Sequence, residues 1–380
     1  MSEPMPRWVR TKPLPPLPAA GEAGMASASG GAVFWARFRR HRLAMAAAAF
    51  LILAYLCVPF AEVIAPYPPG DRQPGAILRP PQAMHLFHEG RFVGPFVYGL
   101  QARVDTERLV RVYAPDRSEI QRLRFFCQGA PYRFWGLVEA RFHLVCPEPG
   151  GAFHPLGTDR LGRDMLSRIV HGARVSLTIG LVGVSVSFTL GLLLGGAAGY
   201  FGGWIDAAVS RVIEVLRSLP ELPIWLALAA AVPVSWSPLL VYFAITIILG
   251  LLDWPGLARA VRGKLLALRE EDYAAAALVM GASPARIIGL HLLPNFASHL
   301  IASLTLTVPA MILGETALSF LGLGLRDPVT SWGVLLNEAQ TIAAIELYPW
   351  IILPVVPVIL VILAFNFLGD GLRDAADPHR

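Results

Sequence analysis

The stretch EEDYAAAALVMGASPARIIGLHLLPN, residues 270–295, places charge and a turn between two long apolar runs. Residues 273–280 form an alanine-rich helical pattern, and Gly281 stands where a helix needs a left-handed residue in order to end. Ser283 can cap a following helix through its side-chain oxygen, with Pro284 at the first helical position, where its missing N–H costs nothing. The stretch therefore predicts two helices that meet at a corner.

The second helix of this corner is predicted to run from Pro284 to about residue 293, where Pro294 ends it. Such a helix is roughly 15 Å long and cannot cross a bilayer. Its apolar residues cover most of its circumference; they are Ile287, Ile288, Leu290, Leu292 and Leu293. Either this surface packs under the chain's own membrane helices or it docks into a soluble partner. We favour docking, because a bare apolar surface of this size is unusual in water.

Composition indicates a membrane protein. Of the 380 residues 55% are hydrophobic and only 16% are charged, which is more apolar surface than one soluble core of this length has to bury. The formal charge of +5 comes almost entirely from arginine. These arginines flank apolar segments and form no continuous basic face, which argues against nucleic-acid binding.

Long apolar runs predict an all-α membrane protein with six transmembrane helices. The runs cover residues 43–64, 175–200, 209–232, 239–252, 297–321 and 348–368. The fourth is short for a bilayer, so its helix must take in part of DWPGLARAV, residues 253–261, or tilt little. Six crossings place both termini on one side.

Basic residues set the orientation. Residues 233–238 contain no lysine or arginine and residues 322–347 contain only Arg326. Residues 255–296 contain five, namely Arg259, Arg262, Lys264, Arg269 and Arg286. Because short cytoplasmic loops are enriched in basic residues, the corner and both termini are predicted to be cytoplasmic.

These signals divide the chain into five regions. We assign residues 1–42 to a cytoplasmic disordered tail with a basic flank, 43–64 to the first membrane helix, 65–173 to an extracytoplasmic insertion and lead-in, 174–370 to a five-helix core with a cytoplasmic loop at 255–296, and 371–380 to a cytoplasmic tail. Alternating pieces such as RLVRVYA predict β-strands in the insertion. Cys127 and Cys146 both fall there, where they can form a disulfide or remain free thiols.

Some residues inside the apolar runs have structural or functional interpretations. Gly191, Gly195 and Gly199 recur every four residues, which predicts a helix face that another helix approaches closely. Glu315 is an ionisable group within the fifth run, where it can line a translocation path or pair with an arginine or helix end. The residues His154, Asp159 and Asp164 have no usual metal-ligand spacing, so no metal site is predicted.

The chain does not match the sequence pattern of a phosphate-binding loop, which ATP hydrolysis requires. Its Gly-Lys pair, Gly263-Lys264, has Ala258 where a phosphate-binding loop needs its first glycine and Leu265 where the loop needs serine or threonine. No arrangement of serine, cysteine, histidine and acidic residues indicates a catalytic site. We therefore predict that the chain is not an enzyme.

Four stretches resemble the second membrane subunit of oligopeptide and dipeptide permeases, which belong to bacterial ABC importers. They are HPLGTDRLGRDMLSRIVHGARVSLTIG (154–180), GYFGGWID (199–206), GETALSFLGLGLRDPVTSWG (314–333) and NFLGDGLRDAADP (366–378). The corner is similar to the "EAA" loop of these permeases, through Ala276, Ala277, Gly281 and HLLPN at 291–295. Two features depart from the family: its motif glutamate falls at Ala275, and the insertion is longer than in typical members.

The resemblance implies a six-helix ABC importer permease in the bacterial inner membrane. Its corner would couple to an ATPase through Ala276, Ala277, Gly281, Ala282, Ser283, Pro284, Arg286, Ile287, Ile288 and His291. The implied partners are a second homologous permease subunit, two ATP-binding subunits that hold ATP and magnesium, an extracytoplasmic substrate-binding protein and the bilayer. No cofactor is implied on this chain.

Peptides are the implied substrates, with coupled ATP hydrolysis on other subunits. Related permeases for nickel, glutathione or peptide antibiotics are the alternatives that this resemblance leaves open. A self-sufficient secondary transporter is a further alternative from another class. It predicts internal repeats and paired broken helices with midplane charges, which the sequence does not display.

Overall fold

The computed structural model describes residues 30–106, 110–340 and 346–376. Within these residues, five helical segments are long and apolar enough to cross a bilayer. We call them spans 1 to 5: Arg42–Ile64, Met165–Phe201, Pro238–Leu268, Pro284–Phe320 and Pro349–Ala376. Further helices in the described residues include α1 (Gly30–Arg40), α2 (Gly203–Ser218), α3 (Glu221–Ala230), α4 (Asp272–Val279) and α5 (Trp332–Glu338). The proposed disordered tail lies, up to residue 29, outside the described residues.

Three of the spans are not uniform α-helices. Span 1 changes to a 3₁₀ turn at Val58–Phe60 before its last turn, Ala61–Ile64. Span 5 begins with the 3₁₀ turn Pro349–Ile352 and continues as the α-helix Val355–Ala376. Span 4 passes through several hydrogen-bonding patterns: Pro284–Arg286 is α, Ile287–Leu292 is a π-helix, Leu293–Phe296 is 3₁₀ and Ala297–Phe320 is α.

The third run does not form the single membrane helix predicted for residues 209–232. Residues 209–232 are divided between α2 and α3, because Leu219 and Pro220 both adopt extended backbone, with ψ of 142° and 132°. A residue before proline is sterically driven out of the α region, and proline has no N–H to continue a helix. Helix α3 has ten residues, roughly 15 Å, and is shorter than the described spans.

Two predicted boundaries also move. Span 3 continues through Pro255 as far as Leu268, so the short fourth run does extend into DWPGLARAV, and most of the predicted loop 255–296 is helical. Span 5 continues to Ala376, so the predicted tail at 371–380 is helical over its described part; residues 377–380 lie outside the described residues. Span 2 begins ten residues before its apolar run, at Met165.

The insertion between spans 1 and 2 contains a four-stranded sheet, which confirms the predicted strand content. The strands are β1 (His85–His88), β2 (Arg91–Asp105), β3 (Val110–Phe134) and β4 (Val138–Pro147), in the order β1-β2-β3-β4 with every pair antiparallel. The long strand β3 pairs with β2 up to Arg122 and with β4 from Leu123 onward. Val97, Leu123 and Phe153 are buried together beneath the sheet.

The main core lies among the spans. Leu177 and Ile179 of span 2, Ile245 and Leu249 of span 3, and Ile312 of span 4 are almost fully buried in one cluster. A separate cluster holds the N-terminal helix α1 against spans 1 and 5, since Phe38 and Ala44 pack with Ala375. A third cluster, described below, joins the corner to span 3.

Candidate coupling site

Helix α4 ends in a complete turn motif that makes the corner. Gly281 has φ +82°, the left-handed conformation predicted for it. Its N–H donates to the carbonyl of Leu278 at 3.0 Å, and the Ala282 N–H reaches back to the carbonyl of Ala277 at 3.0 Å. These two bonds define a Schellman motif, in which a residue with positive φ satisfies the last carbonyls of a helix. A Cβ at Gly281 would meet no atom within 4 Å, so backbone conformation and not space requires the glycine.

The second arm of the corner begins as predicted. Ser283 is the N-cap, with its Oγ accepting from the N–H of Arg286 at 3.4 Å, and Pro284 follows at the first helical position. The predicted end at Pro294 is wrong, because the chain remains helical through a π and a 3₁₀ segment into the long helix of span 4. The proline removes one N–H donor, and the local change of hydrogen-bonding pattern accommodates that loss.

Part of the apolar surface of this arm is covered by the chain itself. Ile287 is 1% exposed and Leu292 is 0% exposed. Both lie in a cluster with Val261 and Leu265 of span 3 and Ala277 of α4. Packing under the chain's own helices therefore accounts for one side of the arm, while Leu290 remains 60% exposed.

The exposed apolar surface is centred on the end of α4. Val279 is 88% exposed, Met280 is 80% exposed and Leu278 is 59% exposed. We call these three residues and Leu290 the corner surface. The sequence pattern missed the first three, because an alanine-rich helix gives no indication of which face its neighbours cover. Among the other predicted coupling residues Ala276, Gly281, Ser283, Pro284 and Arg286 are exposed, Ala282, Ile288 and His291 are half-buried, and Ala277 is buried.

Hydrogen bonds fix the two arms of the corner to each other and to the membrane helices. Asn295 Nδ2 donates to the hydroxyl of Tyr273 at 2.8 Å and to the carbonyl of His291 at 2.9 Å. Arg269 Nη1 donates to the carbonyl of Tyr200 at 3.1 Å, at the last turn of span 2. Bonds of Asn295 thus join the two arms of the corner, and Arg269 joins the end of span 3, directly before the corner, to span 2.

Span 2 lies against span 3 along its small residues. A Cβ on Gly191 would lie 2.9 Å from Leu257 Cβ, and one on Gly199 would lie 2.8 Å from the carbonyl oxygen of Arg262. At Gly195 it would lie 2.7 Å from Ala258 Cα. The structure thus places all three predicted packing glycines at one helix–helix contact, where backbone atoms of span 3 at Gly195 and Gly199, and the Leu257 side chain at Gly191, leave little room for a Cβ.

Glu315 is completely buried inside the helix bundle. Its carboxylate accepts hydrogen bonds from the hydroxyls of Ser331 at 2.7 Å, Ser319 at 2.8 Å and Ser176 at 3.2 Å. These donors come from spans 2 and 4 and from the loop before α5. The Glu315 carboxylate therefore joins span 2, span 4 and the start of α5. These three donors are serine hydroxyls, and none of them is the arginine that the sequence offered as a partner.

A cluster of charged residues at the other end of span 2 escaped the sequence analysis. The guanidinium of Arg168 is fully buried and donates to Glu338 at 2.6 and 2.7 Å and to Asp159 at 2.5 Å. Arg163 also binds Asp159 and Glu338, at 2.6 and 3.0 Å, and reaches Asp327 at 2.9 Å. We call these five residues the arginine cluster. Its sequence signal was the charge in residues 159–168, but two of its three acidic members, Asp327 and Glu338, stand more than 150 positions later.

The electrostatics of the arginine cluster favour its charged state. Burial lowers the pKa of Arg163, but the carboxylates of Asp159, Glu338 and Asp327 outweigh that effect and raise the pKa above its ordinary value. Nearby, His154 is buried between Asp164, at 3.0 Å, and Gln73, at 3.2 Å. The contact of Arg163 with Asp327 joins the lead-in of span 2 to the loop after span 4, and that of His154 with Gln73 joins it to the segment after span 1.

The two cysteines of the insertion are joined. Cys127 of β3 and Cys146 of β4 form a disulfide with a Cα–Cα distance of 6.2 Å. Cys57 is a free thiol in span 1. The disulfide therefore links the two strands of one hairpin.

These features define a class of protein. The described residues form a polytopic helical membrane protein with an exposed apolar corner between spans 3 and 4. Similarity to known proteins gives the family. The profile of the binding-protein-dependent transport system inner membrane component matches residues 189–380, and that of the N-terminal TM domain of oligopeptide transport permease C matches residues 30–81. The chain belongs to this family of inner membrane transport components.

Individual relatives support this assignment. The chain is 41% identical over 230 residues to a dipeptide transport system permease protein of Bacillus subtilis. This aligned region covers 60% of this chain and 70% of the relative. The chain is 40% identical over 227 residues to an oligopeptide transport system permease protein of Haemophilus influenzae, again covering 60% and 70%. Among solved structures, an inward-facing MetNI methionine ABC transporter matches with a TM-score of 0.44 and 21% identity, over 56% of this chain and 98% of that chain.

Proposed function

We propose that this chain is the channel-forming subunit of an ATP-driven importer of peptides, and that its corner surface docks on an ATP-binding subunit. The corner surface is the observation that carries the proposal. Val279 and Met280 project from a glycine turn at the end of α4, and their exposure leaves an apolar patch for a partner to cover. ATP and magnesium belong to the partner subunits, and this chain supplies the path.

Six crossings of the bacterial inner membrane suit this role, with α2 and α3 together making the third crossing. Ala229 and Ala230, at the end of α3, line a cavity of about 370 Å³ together with residues 323–329, the loop after span 4. Helix α3 thus returns the chain to the side where span 4 ends and span 3 begins. On this topology both termini and the corner are cytoplasmic, and the β-sheet insertion is extracytoplasmic.

The rigid connections of the corner support coupling. Arg262 on span 3 donates two hydrogen bonds to Asp206 of α2, and Arg269 holds the last turn of span 2. A push on the corner surface is therefore passed to α2 and to spans 2 and 3 together. This group of helices, with a second homologous permease subunit opposite it, would alternately open the path to each side.

Peptides are the substrates that the relatives favour. The Bacillus and Haemophilus relatives are named for dipeptide and oligopeptide transport. A glutathione transport system permease protein of Pectobacterium atrosepticum, 39% identical over 226 residues, makes glutathione the second candidate. We propose that an extracytoplasmic binding protein delivers the substrate, as the description of the family implies.

Substitution of Val279 tests the docking. Val279→Asp places a carboxylate in the centre of the proposed interface, where an unpaired buried charge costs about 3 kcal/mol or more, or at least a hundredfold in affinity. Val104→Asp is the matched control, since Val104 is 64% exposed on β2, far from the corner in the fold. Association is measured by co-purification with the ATP-binding subunits, and coupling is measured by ATP-dependent uptake of labelled peptides into proteoliposomes.

The expected result is that the Val279 variant loses both association and uptake, whereas the Val104 variant retains both. Equal association and uptake for the Val279 variant and the native chain would refute the proposed docking. Competition of labelled dipeptide uptake by unlabelled oligopeptide and by glutathione then identifies the substrate class.

A further inference from the structure

The turn between β3 and β4 carries an unusual exposed apolar tip. Its residues are Trp135, Gly136, Leu137 and Val138, and Leu137 is 85% and Val138 63% exposed. Trp135 has φ +52° and Gly136 has φ +72°, so both central residues of the turn are left-handed. Such turns ordinarily contain asparagine or aspartate followed by glycine, and a bulky residue with positive φ is rare. The tip therefore has an apolar composition where the turn itself favours a polar one.

Contacts fix the tip against the end of span 1. The Trp135 indole N–H donates to the carbonyl of Pro59 at 3.1 Å, and its backbone N–H donates to Glu62 at 3.2 Å. The guanidinium of Arg174 lies 4.2 Å from the centre of the Trp135 ring and also binds Glu62. These interactions stabilise the left-handed tryptophan and hold the hairpin against spans 1 and 2.

Two markers give the depth of the tip relative to the bilayer. Pro59 lies five residues before the end of span 1 at Ile64, which is about 8 Å along a helix axis. Arg174 comes directly before the long apolar run of residues 175–200 in span 2. Both markers lie near the end of an apolar segment, and amphipathic tryptophan side chains are enriched where such segments meet the lipid headgroups.

Charge follows immediately behind the tip. Phe134 pairs with Val138, and the next pair along the hairpin is Arg133 with Glu139. Their side chains form an exposed ion pair at 3.6 Å. An apolar tip followed by a charged pair suits a hairpin that enters the bilayer only as far as its turn.

We infer that the tip of the β3–β4 hairpin inserts into the bilayer beside span 1, so that phospholipid covers Leu137 and Val138. The tip would lie at the boundary between the phospholipid headgroups and the acyl chains. Insertion holds the sheet down on the membrane surface at its β4 side, while the far end of β3 stays in water. This inference does not depend on the proposed coupling to an ATPase.

A fluorescent label on the tip tests the insertion. Leu137→Cys is made in a Cys57→Ser background, in which Cys127 and Cys146 are protected as a disulfide, and is labelled with an environment-sensitive dye. The control is Val104→Cys, an exposed site that pairs with Arg111 near the start of β3, whereas the tip follows the end of β3. The full chain is placed in lipid nanodiscs, and emission is recorded with nitroxide-labelled phospholipid or with iodide in the water. Intact mass without reductant verifies the disulfide in each variant.

The label at position 137 is expected to show blue-shifted emission and to lose most of its fluorescence to the nitroxide lipid but little to iodide. The label at position 104 is expected to show the reverse. Equal quenching of both labels by iodide would overturn the insertion. Protection of position 137 that arises only after a second permease subunit or a substrate-binding protein is added would also overturn it, and would assign the tip to that protein.

Discussion

Replacing Gly195 with alanine tests whether the close contact of spans 2 and 3 depends on this glycine. The new Cβ would lie 2.7 Å from Ala258 Cα, about 0.7 Å inside the shortest ordinary contact. The opposing atoms belong to the backbone, so no side-chain rotation relieves the clash and the two helices have to separate. Separation of this size costs about 3 kcal/mol, of which the better helix propensity of alanine offsets about 1 kcal/mol. We expect a net loss of about 2 kcal/mol in unfolding free energy.

The matched control is the next residue of the same helix. A Cβ at Gly196 would meet only Leu265 Cδ1, at 3.9 Å, which is ordinary contact. Gly196→Ala should therefore stabilise the chain by about 0.5–1 kcal/mol through helix propensity alone. Both variants are unfolded by titrating SDS into mixed micelles, with helix content followed by circular dichroism. Equal stability of the two variants would refute the packing argument.

Two further predictions concern charged residues. Arg168→Met removes one of the two buried arginines that bind Asp159 and Glu338 and should cost about 3–5 kcal/mol, whereas Arg211→Met, in an exposed pair, should cost less than about 1 kcal/mol; equal midpoints of SDS unfolding would contradict this. Hydrogen bonds from Arg262 hold the pKa of Asp206 below its ordinary value, so their stabilisation is present above about pH 4 and is lost as the pH falls. Asp206→Asn should therefore be less stable than the native chain at pH 7, and the difference should shrink towards pH 3; a difference independent of pH would count against the pair.

The sequence predicted features that depend on local chemistry. Apolar runs gave the approximate positions of the five described spans, because a bilayer demands a minimum apolar length whatever the tertiary fold. The corner at Gly281 and the cap at Ser283 were predicted correctly, since positive φ and helix capping are set by a few adjacent residues. The same local logic, applied to Pro220, should have divided the third run.

Features that depend on distant contacts were not predicted. Nothing near Ile287 indicates that span 3 buries it while Met280 stays exposed. One acidic partner of Arg168 is Glu338, which is 170 positions away, and no period or spacing relates the two. Hydrophobic periodicity identifies a surface that needs covering, but it does not say whether the chain itself or another protein covers it.

Span 2 is a single helix of 37 residues, roughly 55 Å long, with an anchor at each end. The arginine cluster holds its first turns, and Arg269 holds its last carbonyls. Because span 2 is one continuous helix held at both ends, we expect a displacement of one end to move the other end as well. We therefore expect loss of the ion pairs of the arginine cluster to disturb the corner at the other end of span 2.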